Sequence, residues 1–139
     1  MKKFSYRLQR VLEVREKTEE DRKRDLTDRR AELQQVVDLR EQLDKKRTSS
    51  FLETESDVMF LLHGSYLARL LQEIEAVLSR IKECEDRVRE AEVLFLEARH
   101  EAEVLRKLRE KKLTQYNKNL ELHESQVLDE IATLRYGRE

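Results

Sequence analysis

The sequence has no proline, no tryptophan and only two glycines in 139 residues. Average usage would place about ten glycines and about seven prolines in a chain of this length. Turns, β-bulges and phosphate-cradling loops depend on those residues. Their scarcity argues against most sheet folds. Gly64 and Gly137 are isolated, so neither a GxGxxG turn nor a P-loop can be formed. One cysteine, Cys84, cannot close an internal disulfide, which suits a reducing compartment. Aromatics are only 6% of the chain and apolar residues 38%, a poor supply for a thick core. No run of about 18 apolar residues occurs, so no spanning helix is expected. Lys2 and Lys3 are not followed by an apolar h-region, so no secretory signal is read at the N-terminus. Nor is there a charge of one sign. With 42% charged residues, 29 bases against 30 acids leave a net charge of −1. Mixed charge at this density fits a solvated helix surface better than a disordered tail.

What the chain does have is periodicity. In alternating steps of three and four, Leu67, Leu70, Ile74, Val77, Ile81, Cys84, Val88, Ala91, Phe95, Ala98, Ala102 and Leu105 are all apolar. A mean step of 3.5 is the coiled-coil repeat. Arg109, Leu113 and Tyr116 then follow steps of four, four and three, a stutter that locally unwinds a supercoil. The pattern resumes at Leu120, Val127, Ile131 and Leu134. It predicts one helix over residues 66–136, roughly 105 Å at about 1.5 Å per residue.

The first half is helical but poorer. Phe4, Leu8, Val11 and Leu12 open a seam, and Leu26, Leu33, Val36, Val37 and Leu43 continue it. Residues 15–25 contain no apolar side chain. Helix propensity there rests on i,i+4 pairs such as Glu20–Arg24 and Asp25–Arg29. Glu83–Arg87, Glu85–Arg89 and Glu103–Lys107 are the equivalents in the second half, each worth a few tenths of a kcal/mol. Between the halves, Thr48, Ser49 and Ser50 are cap-type residues, and Ser50 with Glu53 fits a capping box. Gly64 could close one helix and Ser65 could cap the next. The expected order is helix one over residues 3–47, a connector over 48–65 with a possible short helix, and helix two from residue 66, within one domain.

Two such seams cover each other most simply in a long antiparallel two-helix coiled-coil hairpin, an all-α fold. Its register is open. Partner numbers summing to about 128 bring Leu26 to Ala102 and Leu33 to Phe95. A sum of about 114 brings Leu26 to Val88 and Leu33 to Ile81. Both leave the C-terminal end of helix two overhanging. The connector carries five consecutive apolar residues, 58–62. They either plug the end of the coiled coil or form an exposed docking patch. Tyr66 has the same two alternatives.

Catalytic constellations are not recognisable. His63, His100 and His123 form no HExxH or other metal spacing, and Cys84 sits at a seam position where a small buried hydrophobe belongs. A two-helix hairpin offers no enclosed pocket, so no enzyme, cofactor or metal is expected. Basic clusters at Arg22-Lys23-Arg24, Arg29-Arg30 and Lys45-Lys46-Arg47 are interleaved with acids and have no stacking aromatics. Nucleic acid is therefore not an expected partner.

Three stretches resemble the flagellar export protein FliJ family. They are Phe4-Ser5-Tyr6-Arg7-Leu8-Gln9-Arg10-Val11-Leu12-Glu13-Val14-Arg15-Glu16, then Leu108-Arg109-Glu110-Lys111-Lys112 with Tyr116, and Leu128-Asp129-Glu130-Ile131-Ala132 with Arg135. The resemblance implies a non-enzymatic stalk of the cytoplasmic type III export apparatus, similar to the central stalk of rotary ATPases. Its implied partners are the hexameric export ATPase, the membrane export gate and export chaperones, with no insertion into the membrane itself but peripheral association with the inner membrane. It implies ATPase contacts at Phe4, Leu8, Val11, Leu12, Leu128 and Ile131, and export-gate contacts at Tyr66 and Leu70, with Phe60 in the adjoining apolar cluster. The exposed charges of Arg22, Lys23 and Arg24 are expected to face the ATPase ring wall. The equivalent stalk of a virulence-type injectisome, a cargo chaperone binding through residues 58–62, and a plain coiled coil dimerising through its seam are the alternatives.

Overall fold

The spacing of three and four is realised as two long α-helices in the computed structural model, which describes the backbone of residues 2–51 and 57–137 and the side chains of residues 2–50 and 62–137. Helix α1 spans Gln9–Phe51, 43 residues, and α2 spans Asp57–Tyr136, 80 residues. No strand occurs among the described residues. Neither sequence contains proline, and both are rich in Glu, Lys, Arg, Leu and Gln, which lose little side-chain freedom in a helix.

The helix ends differ from those expected. Helix α1 begins at Gln9, not Lys3, and residues 2–6 adopt no regular structure. The entry is a turn in which the Gln9 N–H donates to the Tyr6 carbonyl at 3.1 Å. At the other end α1 continues past Arg47 through Thr48, Ser49 and Ser50. The Thr48 hydroxyl donates to the Asp44 carbonyl at 3.0 Å. A cap-type side chain is thereby accommodated inside a helix by bonding back one turn. Ser50 is helical and starts no new helix, and Glu53 lies outside the described residues. Helix α2 begins at Asp57, nine residues before the expected start at Tyr66, so Gly64 and Ser65 lie within it. Neither described glycine has a positive φ. Gly64 therefore does not act as a left-handed helix terminator. The side chains of residues 58–61 are outside the described set, and Leu62 is exposed.

Two compact units are present, and each helix contributes to both. In the unit of Glu20–Leu96, Val36 and Leu43 of α1 pack with Leu70, Ile74, Val77, Ile81 and Cys84 of α2. Leu26 packs with Val88 and Ala91, and Leu33 touches both clusters. Rising α1 numbers meet falling α2 numbers, so the helices are antiparallel. The sums lie near 114, which decides the register: Leu26 meets Val88, not Ala102. All of these except the half-buried Leu33 are buried, and each fully buried Leu, Ile or Val side chain contributes about 1.5–3 kcal/mol. Arg30 pairs across with Glu92 at 3.1 Å.

In the unit of Met1–Glu19 and Glu97–Glu139, Leu12, Ala98 and Ala102 are buried, and Ala102 is wholly inaccessible. Arg15 pairs with Glu101 at 2.7 Å, and Arg106 reaches Glu16 at 3.2 Å and Glu19 at 2.5 Å. These pairs are also antiparallel. They replace apolar packing where residues 15–19 have none to give.

Within helices, Glu20–Arg24 and Asp25–Arg29 form as expected, at 3.5 and 3.7 Å. Arg89 instead takes Asp86 at 3.0 Å, and Glu103 takes Arg99 at 3.2 Å. Alternative partners three or four residues away on the same helix face are close in energy.

Candidate partner-binding site

In the unit that contains both chain ends, a short extended segment is laid over α2. The Tyr6 hydroxyl donates to the Leu105 carbonyl at 3.2 Å. The Tyr116 hydroxyl donates to the Lys2 carbonyl at 2.5 Å. The Phe4 and Tyr116 rings pack with centroids 5.6 Å apart and planes tilted by 54°. The Arg109 guanidinium stands 5.7 Å from the Phe4 centroid, and its Nε donates to Gln9 Oε1 at 3.2 Å. Tilted aromatic packing and a cation over a ring face each add about 0.5–1 kcal/mol at sites of this exposure.

Arg109 and Tyr116 are the stutter positions of the seam, and both are half-buried. They fit badly into a helix-on-helix seam but suit an aromatic, non-helical partner. This is the physical reason residues 2–6 leave the helix despite the i,i+4 spacing of Phe4 and Leu8. Tyr6, Arg109 and Tyr116 were not among the candidate residues, although the break in periodicity at Arg109 marked the place.

Arg106 forms the other polar focus. Its hydrogen bond to Glu19, with a second to Glu16, raises its pKa above the ordinary arginine value. Partial burial opposes that shift. The guanidinium is thus charged at any accessible pH and acts as a fixed clasp between the helices.

Beside the extended segment runs an open groove of about 760 Å³. Phe4, Leu8, Leu108 and Tyr116 form its apolar floor, and Lys2, Lys3, Arg7 and Lys112 surround it. No acidic residue lines it.

Beyond the groove, α2 continues alone. Every residue from 121 to 137 is exposed. Leu128 is 66% exposed, Leu134 67% and Ile131 47%, although Val127, Ile131 and Leu134 extend the seam by one turn each. A helix that keeps its apolar stripe and lacks anything to cover it presents a binding face.

The other expected contact residues are distributed as follows. Leu12 is buried in the seam, Phe4 and Leu8 are half-buried, and Val11 is exposed. Arg22, Lys23 and Arg24 are exposed, with Arg24 paired to Glu20. Tyr66 is 46% exposed, with His63 beside it at 6.5 Å between ring centroids. Leu70 is 4% exposed and packs in the core against α1. The Phe60 side chain lies outside the described residues. Among the described residues no three His, Cys, Asp or Glu side chains converge as metal ligands do. No described helix is long and apolar enough to cross a membrane.

This geometry defines a class: an antiparallel two-helix coiled-coil protein whose second helix ends in an uncovered apolar face. Residues 4–139, essentially the whole chain, match the family described as flagellar FliJ protein. The chain belongs to that family, whose members are non-catalytic components of the flagellar export apparatus. No curated protein and no solved structure matches it.

Proposed function

We propose that this chain is the stalk of the flagellar type III export apparatus, binding the hexameric export ATPase through its two chain ends. One observation carries the reading. The last two heptads of α2 retain an apolar stripe with nothing over it, beside an extended N-terminal segment. A contiguous exposed apolar stripe of this kind marks an interaction surface. Val127, Leu128, Ile131 and Leu134 supply the anchor, and Phe4, Leu8 and Val11 the adjoining rim. The exposed Arg22, Lys23 and Arg24 steer the approach to an acidic ring wall without fixing one rotational position. Residues around Tyr66, with Phe60 nearby, meet the membrane export gate, and export chaperones are further partners. The protein acts in the cytoplasm, held at the inner membrane through the apparatus.

The test is the hydrolysis rate and ring assembly of the same organism's export ATPase. Wild-type protein is expected to promote rings and raise the rate. Leu128→Asp with Ile131→Asp should remove at least about nine-tenths of that stimulation, since two buried apolar anchors are worth several kcal/mol. Reversing Arg22, Lys23 and Arg24 to Glu should weaken it while circular dichroism stays unchanged. Equal stimulation by all three proteins would dispose of the assignment.

A further inference from the structure

The last third of α2 is electrically two-sided along its length. Residues 107–118 hold five bases and one acid, Glu110. Residues 119–134 hold four acids (Glu121, Glu124, Asp129 and Glu130) and neither lysine nor arginine. The basic stretch is where the groove lies, with Lys112 from α2 and Lys2, Lys3 and Arg7 from the extended segment around an apolar floor. The acidic stretch is the uncovered end, with Val127, Leu128 and Ile131 exposed between its carboxylates. An acidic apolar helix is the chemistry such a groove fits, and the chain itself carries one. The tail and the groove occupy successive stretches of one continuous helix, so a tail cannot turn back into its own groove.

We infer that two copies of this protein associate through these ends, the acidic apolar tail of each seated in the basic aromatic groove of the other. Antiparallel placement of the two α2 ends sets residues 119–134 of one copy against 107–118 of its partner, and the reverse contact is generated by the same two-fold axis. Such an exchange is isologous and closes at two copies. The apolar contacts hold the pair, while the charges set its direction and disfavour the parallel alternative, which would oppose like charges. The interface is weak and salt-sensitive, because its charges are at the surface. It is independent of the ATPase assignment, since it requires this protein alone.

Sedimentation velocity on the full chain tests it, over a concentration series at low and high salt. Wild-type protein is expected to pass from one chain to two as concentration rises, with the midpoint moving upward at least about tenfold between about 50 mM and about 500 mM salt. Two charge-reversed proteins sharpen the test. One has Glu124→Lys, Asp129→Lys and Glu130→Lys in the tail; the other has Lys3→Glu, Arg7→Glu and Lys112→Glu in the groove. Each alone should remain a single chain, and their mixture should form a one-to-one pair, because only then do both contacts join opposite charges. Leu128→Asp with Ile131→Asp, at exposed positions outside the core, should abolish pairing. A wild-type protein that stays monomeric at low salt overturns the inference. So does a dimer indifferent to the Leu128 and Ile131 changes, or assembly into open chains. Failure of the two reversed proteins to pair when mixed also overturns it, provided their helix content equals that of the wild type.

Discussion

Gly64 shows how a residue's meaning depends on its neighbours. An isolated glycine followed by serine predicts a helix boundary, yet here the helix passes straight through it. A methyl group placed at its Cα would meet nothing within 4 Å. The position therefore carries the entropic cost of glycine without using its freedom. Gly64→Ala should stabilise the protein by about 0.4–1 kcal/mol, read as a higher midpoint in thermal or urea unfolding. A lower midpoint would mean that this turn of α2 needs the flexibility. Leu70 makes the converse point. The family resemblance implies a partner contact there, and in the structure membership of the seam buries the side chain. Its neighbour Leu71, off the seam, is 46% exposed.

At the scale of the element, the extended segment over α2 is the feature with the most leverage. It is held by two tyrosine hydroxyls and by Arg109, which joins Phe4 and Gln9 at once. Arg109→Ala removes both of its contacts but leaves α2 helical. The equilibrium constant for docking of the segment, read from the ring-proton shifts of Phe4 and Tyr116, should then fall about five- to thirtyfold, matching a loss of about 1–2 kcal/mol, while resonances of the Glu20–Leu96 unit are unaffected. Shifts spread across the whole chain would show that Arg109 supports the helices instead. The helices themselves were legible in the sequence, because twelve successive apolar positions from Leu67 to Leu105 leave no other period. Their register was not. Leu26 finds an apolar residue at Val88 or at Ala102 equally well, and the two choices differ by whole heptads. The pairs that cross outside the seam are equally hard to foresee. Arg15 with Glu101 and Arg30 with Glu92 are long side chains whose partners no periodicity specifies. The extended segment was also illegible: Phe4 and Leu8 have helical spacing, and only tertiary contact with Tyr116 overrides it. The candidate site was half legible. Val127, Ile131 and Leu134 stand out as seam residues, but their exposure depends on where α1 and the segment before it stop.

For the molecule as a whole, one surface is asked to serve two occupants. If the tail enters the export ATPase and also a second copy, the two events exclude each other. Stimulation of hydrolysis, measured against added protein at low salt, should flatten once self-association begins, and high salt should restore the lost slope. A curve that saturates identically at both salts would separate the two surfaces. Self-association of this kind keeps an apolar tail out of water until a stronger partner displaces it.

Cys84 sits within the Val36–Ile81 cluster at 6% exposure, and it is the only thiol in the chain. A reagent in solution reaches its sulfur slowly in the packed helix pair and faster when α1 lifts from α2 at that level. The rate at which a chromogenic disulfide reacts with the native protein is therefore a clock for helix separation in this unit. It runs without any label, at any pH where the thiolate fraction is known. The same clock reports whether a partner bound elsewhere on the protein loosens the seam or clamps it shut.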